Sequence, residues 1–421
     1  MSPFESLNIS RAIVVGLARS GCAAALALRS RGIDVVGVDS NPLCDIGKLQ
    51  DRDVDVHLGA RISPEIVNQT EIMIKSPGVP SDNPLVVHAR RLGIPVWSEV
   101  ELGFRLLPQP IFGITGTNGK TTTCELLGTI LRAEGRSVEV AGNVGHPLTA
   151  VRPDNDPDAC IVCELSSFQL EDIDRFRVHV GALLNITVDH LDRHPNFDCY
   201  KKAKLRLFEN QERSDVAIVP HLFGSIPGRG LRVEFQGIEE LPACPKIPGE
   251  HNRANAVVAS LAASRSGVSD SAIASGISSF GGLPHRLQVV LVADGVSYIN
   301  DSKATNPEAA SQAFLAFPGA RVILGGSLKG MSFGSLAKCA RETGVRRAYL
   351  IGEAAPQIAK SLQIEGIDYL VSDDLKTAVE SVVNDAAAGE VVLLSPACAS
   401  FDQFQDYEHR GNIFCELISK Q

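Results

Sequence analysis

The chain has 421 residues, more than one ordinary core holds and enough for two or three domains. Its 44% hydrophobic and 21% charged residues are the balance of a soluble globular protein, and a net charge of −9 argues against a nucleic-acid coat. No apolar run approaches the ~18 residues that span a bilayer, and the opening MSPFESLNISR lacks the regions of a signal peptide, so the expectation is a cytoplasmic protein with no membrane insertion and no nucleic-acid partner.

Residues 11–16, RAIVVG, read as a strand entering the turn Gly16-Leu17-Ala18-Arg19-Ser20-Gly21. A helix over 22–31 and a second strand over 34–39 complete the opening of a Rossmann-like unit. Ala18 stands where G-x-G-x-x-G has its middle glycine, and Asp39 ends the second strand, where an acid would contact a ribose or base. A tight turn that binds nothing is the plain alternative. A further strand over 72–75 runs into Ser76-Pro77-Gly78, at the carboxyl edge where α/β sheets bind ligands. Pro108 and Pro110 mark a boundary.

The next stretch organises the chain. An apolar run, Ile111 to Ile114, meets the loop Thr115-Gly116-Thr117-Asn118-Gly119-Lys120-Thr121-Thr122, and helix formers follow over 121–133. Strand, glycine loop and helix N-terminus together cradle phosphate. Lys120 would reach the β/γ-phosphates and the Thr121 hydroxyl would sit on Mg²⁺. The strict P-loop pattern wants glycine at 114, where this chain has Ile114, so the loop is a variant.

Apolar strands over 137–141, 159–163 and 180–184 follow. They end at Gly142-Asn143, at Glu164 and at Asn185-Ile186-Thr187-Val188-Asp189-His190, so polar groups recur at successive strand ends. Glu164 has the place of a magnesium-holding acid in a P-loop domain. Cys160 and Cys163, two of ten cysteines, fall on opposite faces of a strand and read as small buried hydrophobes rather than zinc ligands. His190 and His194 are four apart, but Pro195 and the lack of a third ligand argue against a zinc helix.

A helix is expected over 197–210, with Phe197, Tyr200, Lys204, Leu207 and Phe208 on one stripe. An ammonium on an apolar stripe can snorkel to water, or it can lose its proton through burial and through Lys201 nearby. Spacing leaves both open. GEHNRAN then leads into an alanine-rich helix, and GGLPHR marks a second boundary. A hairpin turning at Asp294-Gly295 delivers Asn300-Asp301-Ser302-Lys303-Ala304-Thr305. Alternating strands and helices end in SPACASFDQF and a last helix.

With GITGTNGKTT, GNVG, ELSSFQLE, TVDHLDRH, AKLRLFEN, GEHNRAN, GLPHR, NDSKATNP and SPACASFDQF in this order, the chain resembles the Mur ligases over almost its whole length. The last three motifs favour the members that add D-glutamate to UDP-N-acetylmuramoyl-L-alanine. The resemblance implies an α/β protein of three domains: a Rossmann-like uridine-nucleotide binder over 1–108, a P-loop ATPase with a parallel sheet over 109–283, and a Rossmann-like α/β domain over 284–421 that brings the amino acid. It implies that ATP phosphorylates the alanyl carboxylate and that the D-glutamate amine attacks the acyl phosphate.

Residue by residue, the resemblance implies that Gly116, Thr117, Asn118, Gly119, Lys120, Thr121, Thr122, Asn255, Arg286 and Asp301 bind ATP. Thr121, Glu164, His190 and Lys204 would serve two Mg²⁺ sites, with Lys204 carbamylated by CO₂, which favours reactivity over snorkelling. Lys120, Glu164, His190 and Lys204 form the implied catalytic set. Leu17, Ala18, Arg19, Asp39, Ser40, Gly78, Asn143 and His190 would hold the UDP-substrate. Lys303, Thr305, Lys329, Ser400 and Tyr407 would face D-glutamate, with Tyr407 where the family often has Phe. A monomer is expected. Three other readings fit less well. A folylpolyglutamate-synthase-like ligase lacks a Rossmann-like domain ahead of its P-loop, a nicotinamide dehydrogenase would need the intact glycine fingerprint, and a nucleotide sensor would have no use for Lys204.

Overall fold

The computed structural model describes residues 9–59, 62–143, 145–154, 156–190, 193–328 and 330–420. Three sheets follow one another along the chain. The first holds β1 (Arg11–Val15), β2 (Asp34–Asp39), β3 (Asp55–Leu58), β4 (Ile72–Lys75) and β5 (Val96–Ser98), in the order β3-β2-β1-β4-β5 and all parallel. The second holds β6 (Ile111–Thr115), β7 (Val138–Gly142), β8 (Cys160–Glu164), β9 (Val180–Leu183), β10 (Val216–Pro220) and β11 (Leu231–Phe235). Its order is β11-β10-β9-β6-β8-β7, again all parallel. Continuous apolar runs such as IFGIT and CIVCE suit such strands, because both faces are covered. Cys160 and Cys163 are both buried on β8.

The third sheet holds β12 (Gln288–Ala293), β13 (Val296–Asn300), β14 (Arg321–Gly325), β15 (Arg347–Ile351), β16 (Tyr369–Asp373) and β17 (Val391–Leu394), ordered β12-β13-β17-β14-β15-β16. Only the β12–β13 pair is antiparallel. Its two-residue turn is the expected one: Asp294 at φ 50° and Gly295 at φ 77° take the left-handed values that twist a tight hairpin correctly. The β12 register slips between Val289 and Leu291.

The chain packs into two compact units, Met1–Cys244 with Ala254–Ser279 and Pro245–Arg253 with Phe280–Gln421. The first two sheets thus share a unit, and buried charge ties them together. The Lys75 ammonium stands 2.9 Å from Asp172. The Glu101 carboxylate pairs with Arg105 at 2.6 Å and accepts the backbone N–H groups of Asp174 and Phe176, both at 2.8 Å.

Two expected elements differ. The first helix runs Arg19–Arg29 and starts three residues earlier than expected; Gly21 lies inside it, where a Cβ would lie 1.7 Å from the Gly16 carbonyl oxygen. The helix carrying Lys204 spans only Phe197–Leu205 and tightens into a 3₁₀ turn at Arg206–Phe208. There the Arg206 guanidinium donates to Ile173 O (2.7 Å) and Asn210 Nδ2 to Asp174 O (2.9 Å), so the segment is fixed by its neighbour rather than by its own helix.

Candidate active site

Sheet order fixes where ligands can enter. In the first sheet the order in which strands are added reverses between β1 and β4, and a crevice opens beyond the carboxyl ends of the strands. A cavity of about 480 Å³ occupies it, lined among others by Gly16, Ala18, Arg19, Asp39, Ser40 and Gly78. Five of the residues expected to hold the UDP-substrate therefore meet in one place. Leu17 does not line it: its side chain is 1% exposed in the core, while its N–H donates to Asp39 Oδ2 at 2.7 Å and so aims that carboxylate. The other Asp39 oxygen accepts from Asn41 N at 2.8 Å. Arg19 also donates to Gly145 O.

In the second sheet the reversal falls at β6, between β8 and β9, and there the Gly116–Lys120 loop opens onto the helix Lys120–Ala133. Gly116 (φ 158°) and Gly119 (φ 86°) take values that L side chains rarely adopt. A Cβ on Gly119 would also lie 2.4 Å from Asn255 Oδ1, so Asn255 packs directly on the loop. Asn185 clamps the loop from the other side. Its Oδ1 accepts Thr117 N (3.1 Å) and Asn118 N (2.9 Å), and its Nδ2 donates to Asn118 O (3.1 Å). The Tyr200 hydroxyl meets Thr117 Oγ1 at 3.0 Å. Thr121 is partly exposed at the helix start and Thr122 is buried behind it.

Two lysines converge here. Lys120 Nζ donates to Gly116 O (2.8 Å) and Thr117 O (2.9 Å), and Lys204 Nζ donates to the same Gly116 O at 2.8 Å. Lys204 is 2% exposed and lies over the Tyr200 ring at 4.7 Å. Burial first, and then Lys120, depress the Lys204 amine from 10.5 to about 6, with Asp189 and Glu164 opposing. Lys201, expected to contribute, is not among the causes; Lys120 is. The stem does not snorkel to water.

Glu164 at the end of β8 is 2% exposed. Its Oε1 accepts Asn143 Nδ2 at 2.9 Å, while its buried Oε2 has no hydrogen-bond partner among the described residues. A buried carboxylate oxygen without a donor is costly unless a cation meets it. His190 sits at φ 54°, half-exposed and edge-on to Phe168 at 5.0 Å. The described residues contain no group of three or more His, Cys, Asp or Glu placed to hold a metal. A cation at Glu164 would thus draw on donors of other types, such as the Thr121 hydroxyl.

In the second unit Asp301 follows β13 and Ser395 follows β17, two neighbouring strands. Asp301 is 7% exposed and accepts Ser395 Oγ (2.9 Å) and Leu287 N (3.2 Å); burial raises its carboxyl to about 7, against Ser395, the Leu287 N–H and Arg286. Lys303 Nζ lies 3.6 Å above the Tyr407 ring, and Thr305 N donates to Lys303 O at 2.8 Å. Ser400 is buried just past β17. Lys329 lies outside the described residues.

Sequence reading missed the supports: Asn185 around the loop, and Arg410, fully buried, which donates to Ser302 O (2.7 Å) and Cys398 O (3.1 Å). Asn185 was visible as a polar residue at a strand end; nothing local marks Arg410.

The description of the Mur ligase MurD-like N-terminal domain matches residues 10–98, that of the Mur ligase middle domain 114–222, and that of the Mur ligase glutamate ligase domain 285–398. The chain is 41% identical to the UDP-N-acetylmuramoylalanine–D-glutamate ligase of Solibacter usitatus, with 97% of each chain covered. It is 37% identical to the enzyme of that name from Natranaerobius thermophilus, over 96% of this chain and 97% of that one. The crystal structure of UDP-N-acetylmuramate–alanine ligase from Thermotoga maritima shares the fold, with a TM-score of 0.60 at 19% identity over 98% of this chain and 100% of that one.

Proposed function

The chain belongs to the Mur ligase family, and from that premise we infer that it joins D-glutamate to UDP-N-acetylmuramoyl-L-alanine at the expense of ATP, in peptidoglycan precursor synthesis. A carboxylate resists amines until one of its oxygens becomes a leaving group, so the protein's task is to align it with a phosphate and neutralise the charge that develops. The observation that carries the reading is the convergence of Lys120 and Lys204 on one loop carbonyl, in the first unit that also holds the buried, half-satisfied Glu164.

In this reading Lys120 leaves its loop carbonyls for the ATP phosphates, and the backbone of Gly116 to Thr122 lines them. Asn255 keeps the loop in shape, and Arg286 and Asp301 are the nucleotide contacts of the second unit. Lys204, neutral at pH 7, has the free electron pair that adds to CO₂, and loss of one N–H proton to solvent leaves a carbamate anion. That converts an amine into an anionic oxygen donor, and with Glu164, Thr121 and His190 it would provide for two Mg²⁺ ions. The residues fit such ions because Glu164 keeps one bare buried oxygen; bound magnesium would offset phosphate charge during transfer. The N-terminal cavity takes the uridine end through Arg19, Asp39, Ser40 and Gly78, and Asn143 and His190 meet the muramoyl end. Lys303, Thr305, Lys329, Ser400 and Tyr407 receive D-glutamate. The domains divide at 108/109 and 283/284, and the enzyme works as a cytoplasmic monomer.

Phosphate release with ATP, UDP-N-acetylmuramoyl-L-alanine and each candidate amino acid tests this. Release should need D-glutamate, and equal release with L-glutamate or a diamino acid would overturn the acceptor assignment. Lys329→Ala should raise KM for D-glutamate well above any change in KM for ATP; equal shifts in both would remove Lys329 from the acceptor site.

A further inference from the structure

Behind the strand ends lies a row of polar side chains that the reaction as described does not use. His194 is 3% exposed, with Nε2 2.9 Å from Ser167 Oγ and Nδ1 3.3 Å from Glu171 Oε1. A carboxylate can only accept, so Nδ1 carries a proton towards Glu171, and the Ser167 hydroxyl pairs with Nε2. Hydroxyl, imidazole and carboxylate stand in the order of a serine hydrolase. Ser167 is 1% exposed, however, which keeps a substrate from its oxygen, so the row is positional.

The row continues at both ends. Glu171 Oε2 accepts Ser81 Oγ at 3.2 Å and stands 3.7 Å from the buried Lys75 ammonium. Lys75 and Ser81 bracket residues 76–79, the wall of the first-sheet cavity. Arg193, beside His194, grips that wall directly, donating to Pro77 O and Gly78 O, each at 3.3 Å. On the other side His194 stacks on Phe168 at 5.2 Å, and Phe168 meets His190. Tyr200, which lies under Lys204 Nζ, meets the His194 ring edge-on at 5.3 Å.

We propose that Glu171 and His194 form a positioning bridge that fixes the Pro77–Gly78 wall of the sugar-nucleotide cavity relative to His190 and Lys204. A substrate held by its uridine end in one sheet and reacting by its carboxylate at the other needs that spacing fixed, since an ångström of misplacement costs up to about a hundredfold in rate. The proposal rests on the ligase reading above.

The test compares wild type with Glu171→Ala, Glu171→Gln, His194→Phe, Ser167→Ala and the double variant Glu171→Ala/His194→Phe, each checked for a wild-type melting curve. Glu171→Ala should raise KM for UDP-N-acetylmuramoyl-L-alanine and lower kcat, each about tenfold, with KM for ATP within about twofold. Glu171→Gln and Ser167→Ala, which change little volume, should fall between it and wild type. The double variant should be no worse than the poorer single one, because both break one bridge. Multiplying effects, KM values for all substrates rising together, or altered melting with unaltered kinetics would each overturn the bridge. A wild type that releases no phosphate would sink the ligase reading instead; calorimetry with UDP-N-acetylmuramoyl-L-alanine alone still reads the bridge, and unchanged affinity in Glu171→Ala would overturn it.

Discussion

Two turns in the first unit have the same construction and different chemistry. Gly16–Ser20 after β1 and Gly116–Lys120 after β6 both join a buried parallel strand to a helix N-terminus at a point where the sheet order reverses. The first spends the Leu17 N–H on Asp39, and neither helix has a side-chain cap. A cavity floored by a carboxylate and rimmed by Ser40 and Arg19 suits hydroxyls and a base edge more than bare phosphate. The second turn is clamped by Asn185 and Asn255, carries Lys120, and shares its Gly116 carbonyl with Lys204. It suits a polyphosphate with a cation. A glycine turn fixes where a ligand sits, and the side chains around it decide which ligand.

The sharpest way to break that contrast is Lys204→Ala. It should lower kcat at least about a thousandfold, ~4 kcal/mol, with acetate or formate restoring part of the loss by replacing a carbamate oxygen. Active enzyme whose Lys204 gives no labelled carbamate signal in ¹³CO₂ would refute the assignment. Lys204 also leaves a mark on stability. Its amine titrates near 6 when folded and near 10.5 when unfolded, so the unfolded chain binds more protons in that window, and in CO₂-free buffer stability should rise with pH from about 6 towards 10.5. Lys204→Met should flatten the slope; an unchanged slope would place the amine elsewhere. Next in size, Lys120→Ala should cost at least about a hundredfold in kcat, ~2.7 kcal/mol, with the melting temperature unmoved. Retention of a tenth of the rate would count against the phosphate role. Asp39→Asn probes the other turn. KM for the UDP-substrate should rise about tenfold, ~1.4 kcal/mol, while KM for ATP stays put, and the reverse pattern would mean the two turns had been assigned the wrong way round. Smallest, Asn185→Ala should raise KM for ATP about fivefold through a looser loop, ~1 kcal/mol, without touching KM for the UDP-substrate.

What was legible in the sequence was local. Strand, glycine loop and helix at 111–133, and the Asp294-Gly295 turn, follow from φ preferences and spacing within a dozen residues. Asp39 and Glu164 were legible as acids at strand ends. What escaped depends on pairs far apart in the chain. Burial of Lys204 is legible in its apolar stripe, but the cation that adds to it is not the nearby Lys201: it is Lys120, which only the packing of the helix Phe197–Leu205 against the loop brings near. Asn185 grips a loop 67 residues earlier, and Arg410 reaches 108 residues back to Ser302. The early end of the Lys204 helix had the same origin, since Arg206 and Asn210 bond to carbonyls of the 173–176 segment that no helical period foretells.

The slipped register of β12 bears on how the protein behaves at high concentration. β12 is an edge strand, and it exposes Val289 at 59% and Val292 at 62%. A straight apolar edge of that kind invites a strand from another molecule to dock and begin an aggregate. The irregularity between Val289 and Leu291 breaks the even row of donors and acceptors that such a strand would have to match. A variant with that irregularity deleted should therefore keep its substrate sites yet form light-scattering particles sooner than wild type.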